Sequence, residues 1–140
     1  MKEWDQLSEK EQLLQYISDE YKRAYGMRPR GDFYNNRTVE QLRVDLEELN
    51  RYANEQYDLE KAREVERLEE FEAKLLKLQQ EHGAKNRMTA LRWIVEADED
   101  AQYDPGYFMY MNGFSEYTND AAKHLLQDIV TINRQLSRVA

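Results

Sequence analysis

The fold is decided by residues 39–82, which read VEQLRVDLEELNRYANEQYDLEKAREVERLEEFEAKLLKLQQEH. This stretch contains neither proline nor glycine, and apolar residues recur in it at alternating spacings of four and three. The recurring residues are Leu42, Leu46, Leu49 and Ala53, followed further on by Leu68, Phe71, Leu75 and Leu78. Such spacing places apolar side chains along one side of a helix, as in a coiled coil. The sequence therefore predicts a long α-helix with a coiled-coil-like seam.

The middle of this stretch is less apolar than its ends. Between residues 54 and 63 only Tyr57, Leu59 and Ala62 are apolar. Two interpretations therefore stay open, a single helix through this region or two helices that meet at a break near 54–63. An unbroken helix would be about 60 Å long at a rise of about 1.5 Å per residue. We expect such a helix to project or to pair with a second copy of the chain.

Helix-capping patterns precede the long helix and an earlier one. Ser8 and Glu11 have the spacing of a capping box, which predicts the start of a first helix. Gly26 predicts its end, because glycine adopts the left-handed conformation of a helix terminus without steric cost. Thr38 and Gln41 repeat the capping pattern immediately before the long helix.

The remainder of the chain is predicted to form three shorter helices, at about residues 87–99, 107–113 and 120–138. Tyr103–Gly106 contains Asp-Pro-Gly and is interpreted as a turn. The apolar segment 107–114 could instead form a short strand. Thr118 or Asn119 caps the last helix. These elements predict an all-α fold of about five helices, with residues 1–140 in a single domain.

Composition narrows the classes of function. The chain carries 20 Lys and Arg against 28 Asp and Glu, so its net charge is −8. This charge repels the phosphate backbone of nucleic acids. The acidity either keeps the protein soluble or mimics nucleic acid, with carboxylates in a basic groove of a partner. The chain has no cysteine, which excludes disulfides, thiolate chemistry and cysteine-ligated metals. The start, MKEWDQLSEKEQ, lacks the apolar region of a secretory signal, and no apolar run approaches a membrane span. We therefore expect a soluble cytoplasmic protein that does not contact membranes.

No arrangement of residues points to catalysis. His82 and His124 are far apart in sequence and have no metal-ligand spacing. The acidic run 96–104 lacks the pattern of a calcium-binding loop, and the glycines form no phosphate-binding motif. We expect neither catalytic residues nor a metal or cofactor, and the protein is predicted not to be an enzyme.

One segment has the opposite charge to the rest of the chain. We call residues 22–37 the basic loop, and its candidate binding residues are Lys22, Arg23, Arg28, Arg30 and Arg37. Only Asp32 opposes these five cations, so the local charge is +4 and the remaining residues carry −12. The aromatic residues among them that could also make contacts are Tyr25, Phe33 and Tyr34. Arginine forks bind phosphates or carboxylates, and aromatic rings stack on bases. The loop is either a surface for an anionic partner or paired with the protein's own carboxylates.

Aromatic residues are also concentrated near the end of the chain. Trp93 and the cluster at 107–114 have helical spacing, which is typical of core residues. Exposed members of the cluster would instead form a favourable contact for a protein partner.

Three stretches together resemble a group of small uncharacterised proteins of tailed bacteriophages. They are YKRAYGMRPRG at 21–31, TALRWIVEAD at 89–98 and DPGYFMYMNGF at 104–114. The resemblance covers about residues 11–114. It implies a phage gene product that works in the cytoplasm of an infected bacterium, and it assigns no activity to any residue.

These observations lead to one main hypothesis and two alternatives. The main hypothesis is a non-enzymatic, acidic phage accessory protein that binds and modulates a host or phage macromolecule, such as a defence or nucleic-acid enzyme. Host takeover by an anti-defence inhibitor is its concrete form, in which carboxylates occupy a basic channel of a protein partner. The first alternative is a nucleic-acid-binding module that uses the basic loop. The second is a self-assembling structural protein that forms homo-oligomers through the long helix.

Overall fold

A computed structural model describes residues 3–139 of the chain. Residues 1, 2 and 140 belong to the predicted domain 1–140 but lie outside the described part. The protein is 79% helical, and residues 3–139 contain no β-strand. The predicted all-α class is therefore confirmed.

Six α-helices form the described chain. They are α1 (Glu9–Tyr25), α2 (Val39–Glu81), α3 (Arg87–Glu96), α4 (Glu99–Tyr103), α5 (Pro105–Met111) and α6 (Asp120–Val139). The backbone contacts group into two compact units, Met1–Leu59 and Glu60–Ala140. We call them the N-terminal unit and the C-terminal unit. The single folding domain expected from the sequence stays a prediction.

Helix α2 is continuous over 43 residues and has no break near 54–63. That region consists mostly of residues that favour helices, and no glycine or proline interrupts its hydrogen bonding. The helix ends before Gly83, whose φ of +80° is a left-handed conformation. The Ala84 N–H then donates to the Leu78 carbonyl over 3.1 Å, which satisfies a carbonyl of the last turn.

The N-terminal unit begins with α1, whose predicted limits are confirmed. Ser8 Oγ accepts from the Glu11 N–H over 3.1 Å, and Glu11 Oε1 accepts from the Ser8 N–H over 3.3 Å. Gly26 ends the helix in the left-handed conformation. The same reciprocal bonds join Thr38 and Gln41 at the start of α2. Local capping therefore defines where these helices begin.

The core of the N-terminal unit is small. Its buried residues are Ile17, Leu42 and Leu49, with Leu13, Leu14, Tyr21, Tyr34 and Leu46 packed against them. The first half of the predicted seam thus packs on α1. Near the start of the unit, Trp4 contacts Tyr16 edge to face, with 5.2 Å between ring centroids.

The C-terminal unit has a larger core. Its buried residues are Leu68, Phe71, Leu75, Ala84, Ala90, Leu91, Val95, Ala101, Phe108, Met109, Phe114, Ala122, Leu125, Ile129 and Ile132. Phe71 of α2 makes edge-to-face contacts with Phe108 and Phe114, at centroid distances of 6.0 and 5.8 Å. The second half of the predicted seam therefore packs within the chain's own core.

The segment between α3 and α5 differs from its prediction. Helix α3 ends at Glu96 instead of Glu99, because Asp98 caps the separate helix α4. The predicted turn at Tyr103–Gly106 is wrong, since Pro105 is the first residue of α5. Asp104 Oδ1 accepts from the Tyr107 N–H over 3.1 Å and caps that helix. Proline suits this position because the first helical N–H needs no partner within the helix.

Two alternatives from the sequence are resolved at the end of the chain. The segment from Tyr107 to Met111 is helical and not a strand. Asn119 caps α6, with its Oδ1 accepting from the Ala122 N–H over 2.9 Å. Thr118 is buried, and its hydroxyl instead donates to Glu64 Oε1 over 3.2 Å.

Gly113 ends α5 in a conformation that other residues adopt only with strain. Its φ is +91°, and an added Cβ would collide with the side chain of Arg67. We expect Gly113→Ala to lower the free energy of unfolding by about 1–2 kcal/mol, the usual cost of a left-handed non-glycine residue. Urea unfolding followed by circular dichroism measures this loss.

Gly106→Ala is the matched control for this substitution. Gly106 lies in the first turn of α5, and an added Cβ would be 3.7 Å from Asp104 Oδ1, an ordinary contact. Alanine favours helices over glycine by up to about 1 kcal/mol, so we expect no loss of stability. Equal losses for the two variants would show that the left-handed backbone at Gly113 is not the cause.

Candidate functional site

The structure pairs the last arginine of the basic loop with a carboxylate of α2. Arg37 donates from Nε and Nη2 to the two carboxylate oxygens of Asp45, both over 2.8 Å. These bonds raise the pKa of Arg37. The guanidinium also lies over the Phe33 ring, 5.5 Å from its centroid. Arg37 is thus held between a carboxylate and an aromatic face.

Two more arginines of the basic loop have partners within the N-terminal unit. Arg28 donates to Asp19 over 2.7 Å and to Ser18 over 2.9 Å. Arg23 donates over 2.9 Å to both Glu20 and Asn54. Their charges are therefore partly offset by side chains of the protein itself.

Lys22 and Arg30 are the remaining cations of the basic loop. Both are exposed, and within residues 3–139 neither side chain makes a hydrogen bond or an ion pair. The acidic partners of the other three cations are Asp19, Glu20 and Asp45. Together with Asp32, they place four negative charges beside five positive ones, so the local charge falls from +4 to +1. Acidic side chains of the protein therefore balance most of the positive charge of the basic loop. Its role as a binding surface stays a prediction.

The aromatic residues of the basic loop pack on other aromatic residues of the N-terminal unit. Tyr25 stacks on Tyr52 of α2, with 5.1 Å between centroids, and contacts Tyr21 at 4.6 Å. Tyr34 is partly buried, and burial together with the nearby Asp45 raises its pKa. Of the three candidate contacts, Phe33 is the most exposed, and one of its faces is covered by Arg37.

Helix α5 presents a second surface. From the sequence alone, its aromatic residues could be either core residues or exposed contacts for a protein partner. Phe108 and Met109 are buried, whereas Tyr107 is 45% exposed and Tyr110 71% exposed. Tyr107, Tyr110 and Met111 lie at positions i, i+3 and i+4, so they share one face of the helix. We call these three residues the α5 tyrosine face. The rings of Tyr107 and Tyr110 are stacked, with centroids 6.3 Å apart.

The segment around α5 carries no positive charge. Residues 93–122 contain no Lys, Arg or His. Their acidic residues are Glu96, Asp98, Glu99, Asp100, Asp104, Glu116 and Asp120. Asp98 and Asp104 cap helices, and Glu96 accepts from Arg92 over 2.8 Å. Glu99 and Asp100 are exposed in the first turn of α4. The α5 tyrosine face therefore lies in an acidic region of the chain.

A groove of about 350 Å³ adjoins the α5 tyrosine face. It is lined by Glu60, Glu64, Arg67, Tyr110, Met111, Gly113, Phe114 and Ser115. Arg67 donates to Glu60 Oε1 and to the Gly113 carbonyl, each over 3.3 Å. These bonds are longer than the 2.7–2.9 Å of strong charge-assisted bonds. The groove thus combines an apolar wall, two carboxylates and one loosely held guanidinium.

Among residues 3–139, no group of three or more His, Asp or Glu side chains is arranged to hold a metal ion. The pKa shifts of Tyr34, Arg37, Arg87 and Tyr117 are all upward, so each moves a group further from neutral pH. Trp93 on α3 is half-exposed, so its side chain is neither a fully buried core residue nor a fully exposed contact residue.

The sequence contains a sign of the α5 tyrosine face that was not used in the prediction of binding residues. Residues 22–37 stand out in the sequence by their positive charge. The absence of Lys, Arg and His over residues 93–122 is equally visible in the sequence. Which tyrosines of that segment are exposed depends on packing within the C-terminal unit.

Two further findings bear on the class of protein. In the part of the chain that the structure describes, no helix has the length and apolar character needed to cross a bilayer. Comparison with protein families, with curated proteins and with solved structures found no match to this chain.

Proposed function

We propose that this chain is a non-enzymatic accessory protein that binds a protein partner and inhibits its activity. The observation that supports this function is the α5 tyrosine face, an exposed and stacked aromatic surface within residues 93–122, a segment of the sequence that contains no Lys, Arg or His. Tyrosine contributes a large contact area at a low cost in conformational entropy and is enriched where binding energy is concentrated. Methionine is likewise enriched at interfaces.

The acidic character of the chain suggests the kind of partner. The chain has a net charge of −8, and complementary charge speeds association and disfavours wrong partners. We therefore propose a partner with a basic surface, such as a defence or nucleic-acid enzyme with a positively charged channel. The resemblance to small phage proteins supports a phage origin and action in the host cytoplasm.

The two alternative functions have weaker support. A nucleic-acid-binding role for the basic loop requires free positive charge, and the partners of Arg23, Arg28 and Arg37 reduce it to a net +1. Self-assembly through α2 requires an unpaired seam. The leucines and the phenylalanine of the α2 seam instead pack in the cores of their own units.

Affinity purification from a bacterial lysate tests the proposed function. The wild-type protein is compared with the double variant Tyr107→Ala, Tyr110→Ala and with Tyr57→Ala, which removes a tyrosine 60% exposed on the N-terminal unit. We expect the wild type and Tyr57→Ala to retain the same stoichiometric partner. The double variant is expected to retain at most about one tenth as much of this partner, since each lost hot-spot residue costs about 1–2 kcal/mol of binding free energy.

Circular dichroism of all three proteins checks that the exposed substitutions leave the fold intact. Recovery of no stoichiometric partner by the folded wild type would contradict the proposal. Equal recovery by the double variant would show that the α5 tyrosine face is not the binding surface.

A further inference from the structure

We propose that the α5 tyrosine face binds an arginine-rich segment of the partner protein. This inference rests on the proposed function and adds the chemistry of the group that is recognised. A guanidinium is planar and weakly hydrated, so it can stack on an aromatic ring while its N–H groups bind carboxylates. The α5 tyrosine face offers the rings, and the residues around it offer the carboxylates.

The N-terminal unit contains an example of the same recognition. Arg37 lies over the Phe33 ring and donates two hydrogen bonds to Asp45. The protein itself therefore satisfies a guanidinium with one aromatic face and one carboxylate. Around α5 the aromatic faces of Tyr107 and Tyr110 are exposed, and no arginine from residues 93–122 can cover them.

Charge decides between an arginine-rich segment and other occupants. Single-stranded nucleic acid could stack its bases on tyrosines, but its phosphates would approach the carboxylates of residues 93–122. A second copy of the chain would bring two acidic regions together, which is also unfavourable. A cationic segment is attracted by the same carboxylates. It therefore fits both the rings and the charge.

The groove beside Tyr110 provides a position for the end of an arginine side chain. Glu60 and Glu64 supply carboxylates there, and Met111 and Phe114 supply apolar contacts. Among residues 3–139 the one cation that lines the groove is Arg67, whose two hydrogen bonds are each 3.3 Å long. An incoming guanidinium can share these acceptors or replace Arg67, because bonds of this length are weak.

Direct binding of two synthetic peptides to the full chain tests the inference. One fluorescent peptide is arginine-rich, and the other has lysine at every arginine position, so that length and charge are equal. Fluorescence anisotropy at physiological ionic strength gives both dissociation constants. We expect the arginine peptide to bind about 3-fold to 10-fold more tightly, since lysine provides charge without a planar stacking surface.

Variants identify the surface that gives this preference. The double variant Tyr107→Ala, Tyr110→Ala should bind the two peptides equally, whereas Tyr107→Phe, Tyr110→Phe should keep the preference because it keeps the rings. Tyr57→Ala should behave as the wild type. Equal binding of both peptides by the wild type overturns the inference, and so does a preference that survives in the double alanine variant.

Other occupants give distinct results in parallel measurements. Tighter binding of a labelled single-stranded oligonucleotide than of the arginine peptide, lost in the double alanine variant, overturns the inference in favour of nucleic acid. Sedimentation that shows a dimer dissociated by the same variant overturns it in favour of a second copy. If a lysate partner requires Tyr107 and Tyr110 but the chain shows no preference for the arginine peptide, this inference is wrong and the proposed function is still supported. An arginine preference without a lysate partner supports the inference and contradicts the proposed function.

Discussion

Leu91→Ala is expected to lower the free energy of unfolding of the C-terminal unit by about 3–4 kcal/mol, the largest effect of any substitution considered. Leu91 is 0% exposed on α3 and belongs to the main core of that unit. Truncation removes buried methyl groups and leaves a cavity that close-packed neighbours cannot fill without strain. Urea unfolding followed by circular dichroism measures the loss.

Leu76→Ala makes the same chemical change on the surface of the same unit. Leu76 lies on α2 and is 51% exposed, so its truncation creates no cavity. We expect a change of less than about 1 kcal/mol, typical of surface substitutions. Similar losses for Leu76→Ala and Leu91→Ala would mean that Leu91 is not packed as the structure shows.

Arg87→Met is expected to lower the free energy of unfolding by about 2 kcal/mol, the second largest effect. Arg87 donates to the two carboxylate oxygens of Glu72 over 2.9 and 2.7 Å, and to Asp128 over 2.9 Å. These bonds connect α2, α3 and α6, and the Glu72 bond is the main cause of the raised pKa of Arg87. Without the arginine, Glu72 and Asp128 lose a shared partner and repel each other. The expected loss stays modest because all three side chains are about one third exposed and water screens their charges.

Arg92→Met is the matched control, since Arg92 also lies on α3 but its ion pair is with Glu96 of the same helix. We expect a loss of no more than about 0.5 kcal/mol, the usual contribution of a surface pair at this spacing. Arg87→Lys should retain part of the stability, because it keeps the charge but not the two-pronged geometry. Thermal unfolding at low and high salt compares the variants. Equal losses for Arg87→Met and Arg92→Met would contradict a structural role for the three-helix connection.

The elements that sequence analysis predicted correctly are those defined by local signals. The capping pairs at Ser8 and Thr38 and the glycine at position 26 act within a few residues, so their effect can be predicted without knowledge of the fold. The continuity of α2 also has a local cause, the absence of glycine and proline from residues 54–63. Sequence could not choose between continuity and a break, because a weakly apolar region is compatible with both.

The segment Tyr103–Gly106 shows where local interpretation fails. Aspartate followed by proline and glycine suits a turn, and the same residues suit the cap and first turn of a helix. The core position of Phe108, which contacts Phe71 of α2, favours the helical alternative. That contact joins residues far apart in the sequence, so composition and spacing do not reveal it.

The candidate site was only partly predictable for a similar reason. Residues 107–111 are all apolar or aromatic, so periodicity does not indicate which face is buried. Packing against α2 buries Phe108 and leaves Tyr107 and Tyr110 exposed. Likewise, the partners of Arg37 and Arg28 lie eight and nine residues away, beyond the reach of simple helical spacing. Charge counted along the sequence therefore overstates the free positive charge of the basic loop.

The two tryptophans give each compact unit its own optical reporter. Trp4 contacts Tyr16 in the N-terminal unit, and Trp93 lies on α3 in the C-terminal unit. Replacing one at a time with phenylalanine would leave a single indole whose emission follows the melting of its own surroundings. Coincident curves from the two reporters would mean that the chain unfolds as one cooperative body, and separate midpoints would mean that its two cores melt independently.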